Sequence, residues 1–246
     1  MNKTVLVTGG SRGIGRATII EFAKHGYNVV INYVSDDNAA DELKKDLIEN
    51  YDVDVMLVKC DISDEEGVKQ MVSSIIDKYG KIDVLVNNAG IAIDTTFEDK
   101  TVENFRRTLD VNLIGAFIVA KEVGKHMLEN KSGSIVNVAS NDGLEAYYPM
   151  SLDYDASKAG MISLTHNLAV FYAPYIRVNA VAPGWVNTEM NKELDDEFIK
   201  EALKNIFLDR FCEPEEVAKV IYFLASDNAS FINNEVIRVD GGNYHA

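Results

Sequence analysis

The chain has little cysteine and little proline, and it is short of positive charge. Its two cysteines, Cys60 and Cys212, stand far apart in 246 residues with no C-x-x-C spacing. That excludes a disulfide framework and a cysteine-built metal centre, and it points to thiols kept reduced. The four histidines, His25, His126, His166 and His245, have no partner at ligand spacing, so no metal is expected. Lys and Arg number 24 against 39 Asp and Glu, a formal net charge of −15, which argues against nucleic acid or an anionic membrane as partner. No apolar run approaches the length of a membrane span, and an apolar strand pattern starts at Thr4, leaving no room for a signal peptide. A cytoplasmic protein is the expectation. With four prolines, no internal repeat and no linker-like tract, residues 1–246 read as one domain able to bury a sizeable core.

What is present is an alternation of short apolar runs with amphipathic ones. Strands are predicted at Thr4–Thr8, Asn28–Tyr33, Val55–Lys59, Val84–Asn87, Ser134–Ala139, Ile176–Val181 and Val236–Val239. Helical patterns cover Gly13–Lys24, Asp37–Glu49, Asp64–Tyr79, Val102–Glu129, Asp153–Phe171 and Pro214–Ala225. Continuous apolar strands between helices imply a doubly wound α/β fold, a parallel sheet covered on both faces.

In such a fold ligands bind outside the carboxyl ends of the strands, and the unusual residues fall there in turn. The loop Thr8-Gly9-Gly10-Ser11-Arg12-Gly13-Ile14-Gly15 follows strand one and opens a helix. Glycines there let backbone N–H groups approach a phosphate, and the helix dipole favours an anion. Asn32-Tyr33 ends strand two, and Asp61-Ile62 follows strand three. Asn87-Asn88-Ala89-Gly90 follows strand four, Ser140 strand five and Pro183-Gly184 strand six. A nucleotide site along that edge is expected.

Tyr154 and Lys158, four apart on a predicted helix, share one face. A free phenol has a pKa of about 10, and a nearby ammonium lowers such a value, which would make this tyrosine an acid/base near neutrality. Ser140, at the end of the strand that leads into this helix, is placed to hold a carbonyl oxygen while Tyr154 moves the proton.

Thr8-Gly9-x-x-x-Gly13-x-Gly15, Asn87-Asn88-Ala89-Gly90, Asn112, Ser140, Tyr154-x-x-x-Lys158 and Pro183-Gly184 together resemble the motif set of the short-chain dehydrogenase/reductase family, in order along the whole chain. The resemblance implies an NAD(P)-dependent enzyme. Tyr154 would be its general acid in reduction, Ser140 would position the carbonyl, and Lys158 would bind the nicotinamide ribose and lower the tyrosine pKa. Asn112 would help hold a water linking Lys158 to solvent. It also implies a cofactor lying along Gly9, Ser11, Arg12, Gly13, Ile14, Gly15, Asn32, Asp61, Ile62, Asn88, Ala89, Tyr154, Lys158, Pro183, Gly184, Val186 and Thr188, and a homotetramer. The interval from Ser140 to Tyr154 is one residue longer than the family's common spacing, so a shifted serine is the alternative.

A carboxylate ending strand two would repel a 2′-phosphate. This chain has Asn32-Tyr33 there, and Arg12 in the glycine loop offers a cation, so NADP(H) is expected over NAD(H). Trp185, Met190 and an amphipathic stretch with Leu194, Phe198, Ala202 and Ile206 follow Pro183-Gly184. The resemblance makes the stretch of about 186–206 a mobile cover over substrate. Leu144-Glu145-Ala146-Tyr147-Tyr148-Pro149-Met150 adds aromatic and apolar groups near Ser140. Asn179-Ala180-Val181-Ala182-Pro183-Gly184 and the ending from Glu213-Pro214-Glu215 to Asp240-Gly241-Gly242 are most similar to 3-oxoacyl-acyl-carrier-protein reductases of fatty acid biosynthesis. The rival is a dehydrogenase or reductase of another carbonyl or alcohol (a sugar, steroid or xenobiotic), because an acidic chain offers an acidic carrier only Lys131 and Arg177. A non-catalytic NADP(H)-binding sensor is a third reading, opposed by the complete Ser140, Tyr154 and Lys158 set.

Overall fold

The structure, a computed structural model, describes residues 2–144, 148–192 and 194–243. Glu145, Ala146 and Tyr147 of the segment before Tyr154, Glu193 of the expected cover and His245 lie outside the described residues. Strands β1 (Thr4–Val7), β2 (Asn28–Tyr33), β3 (Val55–Lys59), β4 (Val84–Asn87), β5 (Gly133–Val138), β6 (Ile176–Pro183) and β7 (Val236–Val239) form one sheet in the order β3-β2-β1-β4-β5-β6-β7. Every pairing is parallel. The helices are α1 (Gly13–Lys24), α2 (Asp37–Asn50), α3 (Glu65–Tyr79), α4 (Val102–Leu109), α5 (Ala116–Glu129), α6 (Leu152–Tyr172), α7 (Asp196–Leu203) and α8 (Pro214–Ala225). No described helix is long and apolar enough to cross a membrane.

Side chains alternate across a strand, so each strand feeds two cores. Val5, Val7, Val29, Ile31, Val84 and Val86 pack with Ile19 and Phe22 of α1 and with Val217, Ile221 and Leu224 of α8. Leu6, Val30, Leu85 and Ile135 face the other way, onto Val68 and Ile75 of α3, Val119 and Val123 of α5 and Leu168 of α6. The chain runs outward from β1 through β2 to β3 and then returns to β4 on the other side of β1. The crevice for a ligand therefore opens between the carboxyl ends of β1 and β4.

The predicted helix Val102–Glu129 is helical throughout, but not α-helical throughout. Between α4 and α5, residues Asp110–Gly115 widen into a π-helical turn. Its cause is tertiary. The Asn112 amide takes the Ile91 N–H at 2.8 Å, donates to the Ile91 carbonyl at 2.9 Å and donates to Ser157 Oγ at 3.0 Å. Strand β6 extends two residues past the predicted end because its last residues pair with β7, Pro183 opposite Val239. In α6, apolar nearly all round, Met161, Leu168 and Tyr172 are buried while Val170 and Phe171 stand 76% and 71% exposed.

Arg177 is not free to meet a partner. Its guanidinium donates to the carbonyls of Leu224, Ala225 and Ser226 at 2.7–3.2 Å and also to Ile232. There it closes the C-terminal end of α8, where unpaired carbonyls gather. Lys131 stands 5.8 Å from the Tyr175 ring centre. The thiols are half-buried and unpaired, and burial pushes Cys212 up to about 11.

Candidate active site

The glycine loop is laced to three strands. Asn88 Nδ2 donates to the Thr8 and Gly9 carbonyls at 2.9 and 3.1 Å, and Thr8 Oγ1 accepts from the Asn88 and Ala89 amides. Asn32 donates to the Cys60 carbonyl at 2.9 Å and accepts from Gly9 N, so its amide holds the loop to β3. Gly9 has φ +62, and a Cβ on it would sit 2.9 Å from Ala89 Cα; a Cβ on Gly15 would overlap the Gly9 carbonyl. Replacing Gly9 by alanine is expected to cost about 1–3 kcal/mol from overpacking in addition to left-handed strain. A urea unfolding midpoint unchanged from wild type would show the loop to be looser than this.

Helix α1 begins at this loop with no side-chain cap and no acidic residue in its first turn. By contrast α2, α3, α4 and α7 are capped by Asp36, Asp64, Thr101 and Asp195. The unpaired N–H groups and the dipole of α1 thus face the crevice, which suits a diphosphate.

The crevice is a cavity of about 590 Å³. It is lined by Gly9, Ser11, Arg12, Gly13, Ile14, Asn32, Asp61, Ile62, Asn88, Ala89, Ser140, Tyr154, Lys158, Pro183, Gly184, Val186 and Thr188. Of the residues predicted for the site, Gly15 packs behind the loop, and Asn112 lies behind Gly90, where an added Cβ would be 3.3 Å from Asn112 Oδ1 and 3.6 Å from Lys158 Nζ.

At the inner end, Lys158 Nζ donates to the Val138 carbonyl at 2.8 Å and lies 5.3 Å from the Tyr154 ring centre. Ser140 begins a short 3₁₀ turn after β5 and lies near enough to the Tyr154 hydroxyl to influence it despite the longer interval. Burial and the Asp142 carboxylate push the Tyr154 phenol well above its ordinary value, and the Ser140 hydroxyl opposes them. Burial brings Lys158 down to about 8 against the pull of Asp142. Burial and the nearby carboxylates, rather than Lys158, set the direction of the Tyr154 shift among these side chains.

The helix bearing Tyr154 is pinned at its start. Asp153 is fully buried, accepting from Lys100 Nζ at 2.8 Å and Thr108 Oγ1 at 2.8 Å, while Lys100 also donates to the Ile93 carbonyl. The segment after β4 is thereby clamped to α6.

Some lining residues had no signal in the sequence. Arg107 reaches the cavity from α4 and binds Asp61 at 2.9 Å. Burial raises Asp61, but Ser63 and Arg107 outweigh it and hold the carboxyl below its usual range. Asp142, two residues beyond Ser140 and behind the lining, carried no signal in the sequence either. Outside the cavity mouth, Trp185 packs on Phe198 and Phe211 with ring centres 5.2 and 5.8 Å apart, and Tyr148 closes the group against Phe198 at 5.9 Å.

A parallel sheet with an anion-ready helix at its switch point, and a serine, tyrosine and lysine at one end of the cavity, define an oxidoreductase that works with a nicotinamide cofactor. A family model described as Enoyl-(Acyl carrier protein) reductase matches residues 9–244. The 3-oxoacyl-acyl-carrier-protein reductase FabG of Thermotoga maritima is 42% identical over 241 residues, 98% of this chain and 97% of that protein. Among solved structures, levodione reductase superposes with a TM-score of 0.90 at 36% identity, covering 97% of this chain and 96% of the other. A 3-oxoacyl-acyl-carrier-protein reductase from Brucella melitensis gives 0.91 at 33%, covering 99% and 92%. The chain belongs to the short-chain dehydrogenase/reductase family.

Proposed function

We propose that this protein is an NADPH-dependent reductase of 3-oxoacyl thioesters, acting on substrates carried by an acyl carrier protein in cytoplasmic fatty acid synthesis. The observation that carries the reading is a full-length likeness to reductases of that name together with Ser140, Tyr154 and Lys158 converging on one cavity. The bound nicotinamide would supply the hydride. Ser140 and Tyr154 hold the substrate oxygen, Tyr154 gives it a proton, and Lys158 holds a second proton beside the phenol. Asn112 positions the segment after β4 through Ile91. A pair of donors on one oxygen suits a carbonyl rather than a carbon–carbon double bond. Oxidation of NADPH with an acetoacetyl thioester tests the reading; tight NADPH binding without turnover would overturn the thioester assignment.

Arg12 is exposed on the loop, and the Asn32 amide one residue before the end of β2 is engaged within the protein. This supports a 2′-phosphate held by Arg12. Replacing Arg12 by alanine is expected to raise KM for NADPH roughly 10–100-fold, the worth of a charge-assisted hydrogen bond. KM for NADH would stay as it was. An equal rise for both cofactors would remove Arg12 as the discriminating group.

Phe198, Trp185 and Tyr148 support the reading of residues 186–206 as a substrate cover, and the exposed Val170 and Phe171 of α6 support a homotetramer. A second reading, reduction of a different carbonyl compound, is favoured by the carboxylates of Asp94, Asp142 and Asp155 around Tyr154, which suit an anionic carrier poorly. Turnover of cyclic diketones but not thioesters would decide for it.

A further inference from the structure

The Ser140 hydroxyl has one proton and several acceptors. Its Oγ donates to Asp142 Oδ2 at 3.1 Å, with Asn141 Oδ1 a more distant alternative at 3.4 Å, and it accepts from the Asp142 N–H at 3.2 Å. The Tyr154 hydroxyl lies near the same serine, whose hydroxyl opposes the upward shift of the phenol. An ionised carboxylate only accepts hydrogen bonds, and it holds a donor about twice as strongly as a neutral acceptor does. While Asp142 is ionised, the serine proton is therefore turned toward Asp142 and withheld from an oxygen entering the cavity. A protonated Asp142 reverses the bond. Its own O–H donates to Ser140 Oγ, and the serine proton is released toward the cavity by rotation about Cβ–Oγ, with no covalent change.

The charged groups around Asp142 are Lys158 and Asp155 of α6, with the Tyr154 phenol beside them, and Asp94 on the segment after β4. Burial raises the Asp142 carboxyl; Ser140 and Lys158 pull it down and Asp94 pushes it up, with a net rise. The protonated form consequently persists to higher pH than in an exposed aspartate.

We propose that Asp142 is a positioning residue whose protonation decides whether Ser140 donates to the substrate oxygen, so that carbonyl reduction weakens as Asp142 ionises. This rests on the reading of Ser140 and Tyr154 as the groups that hold that oxygen. The test is Asp142→Asn, whose amide can donate to Ser140 Oγ at every pH. In the wild type, kcat/KM for ketone reduction should fall about tenfold as pH rises through the Asp142 titration, the worth of one hydrogen bond. In the variant that fall should vanish, leaving it about tenfold faster than wild type beyond the Asp142 titration. Superimposable profiles would overturn the proposal.

A second measurement needs neither turnover nor that variant. Linkage is reciprocal: if ionised Asp142 holds the serine proton, Ser140→Ala must destabilise the ionised form. In infrared difference spectra of Ser140→Ala against wild type, a protonated-carboxyl band should persist to higher pH in the variant. An unchanged carboxyl titration would overturn the linkage. A shifted titration in a protein that reduces no ketone would support the linkage and overturn the reductase reading instead.

Discussion

Replacing Tyr154 by phenylalanine is expected to lower kcat for carbonyl reduction roughly 10²–10⁴-fold, the usual contribution of one positioned proton donor, while NADPH still binds. The ring stays, so packing against Lys158 survives; only the hydroxyl near Ser140 is lost. Single-turnover kinetics with dye-free absorbance detection would measure the effect. A variant within a factor of about three of wild type falls below the range of general acid catalysis and would mean that another group delivers the proton. The pH dependence follows from Lys158. Burial holds it near 8, so its ammonium is populated at neutral pH and gives up its proton as pH rises past that value. Reduction consumes a proton, so kcat should decline on the alkaline side near that value. Lys158→Met should lack this limb.

Lys100→Met should cost about 3–5 kcal/mol of stability, since it leaves the Asp153 carboxylate buried without its cation. For a chain of this size that is a fall of roughly 6–20 °C in Tm. Burial alone would raise the Asp153 carboxyl, but Lys100, Thr108 and its own backbone amide outweigh it and hold the carboxyl below its usual range. A depressed carboxyl stabilises above its unfolded pKa, and that stability is lost as pH falls through the folded value. The difference between Lys100→Met and wild type should therefore shrink in acid. The double variant Lys100→Met/Asp153→Leu removes both charges and should recover much of the loss, because a buried pair replaced by apolar groups is often neutral. Thermal melting of the three proteins checks this. A Lys100→Met protein melting within about 2 °C of wild type would mean that the pair contributes no more than a surface bridge does.

The sheet was legible in the sequence because its strands are buried on both faces. Val5-Leu6-Val7 and Val84-Leu85-Val86 had to be apolar throughout, and their spacing between amphipathic runs fixed a parallel order. Most boundaries moved by no more than one residue, and the largest strand shift came where a neighbour intervened, at Pro183, which pairs with Val239. The loop Gly9–Gly15 and the Ser140, Tyr154 and Lys158 set were legible because each sits where a strand ends or on one turn of a helix. Asp142 and Arg107 were not, since an aspartate in a turn and an arginine on an amphipathic helix are ordinary locally. Arg177 was misjudged for the same reason: its charge was visible, whereas the carbonyls that hold it come from 47 to 55 residues further on.

What the sequence by itself determined was the secondary structure, the sheet class and the edge on which the chemistry lies, because periodicity and helix starts depend on residues a few positions apart. Only the tertiary structure decided which polar groups are already engaged. Asn112 finds Ser157 across 45 residues and Lys100 finds Asp153 across 53, and the Ser140 hydroxyl is already engaged by Asp142 beside Tyr154. A buried charge or amide takes whichever partner the packing brings within about 3 Å. Packing is a property of the whole folded chain.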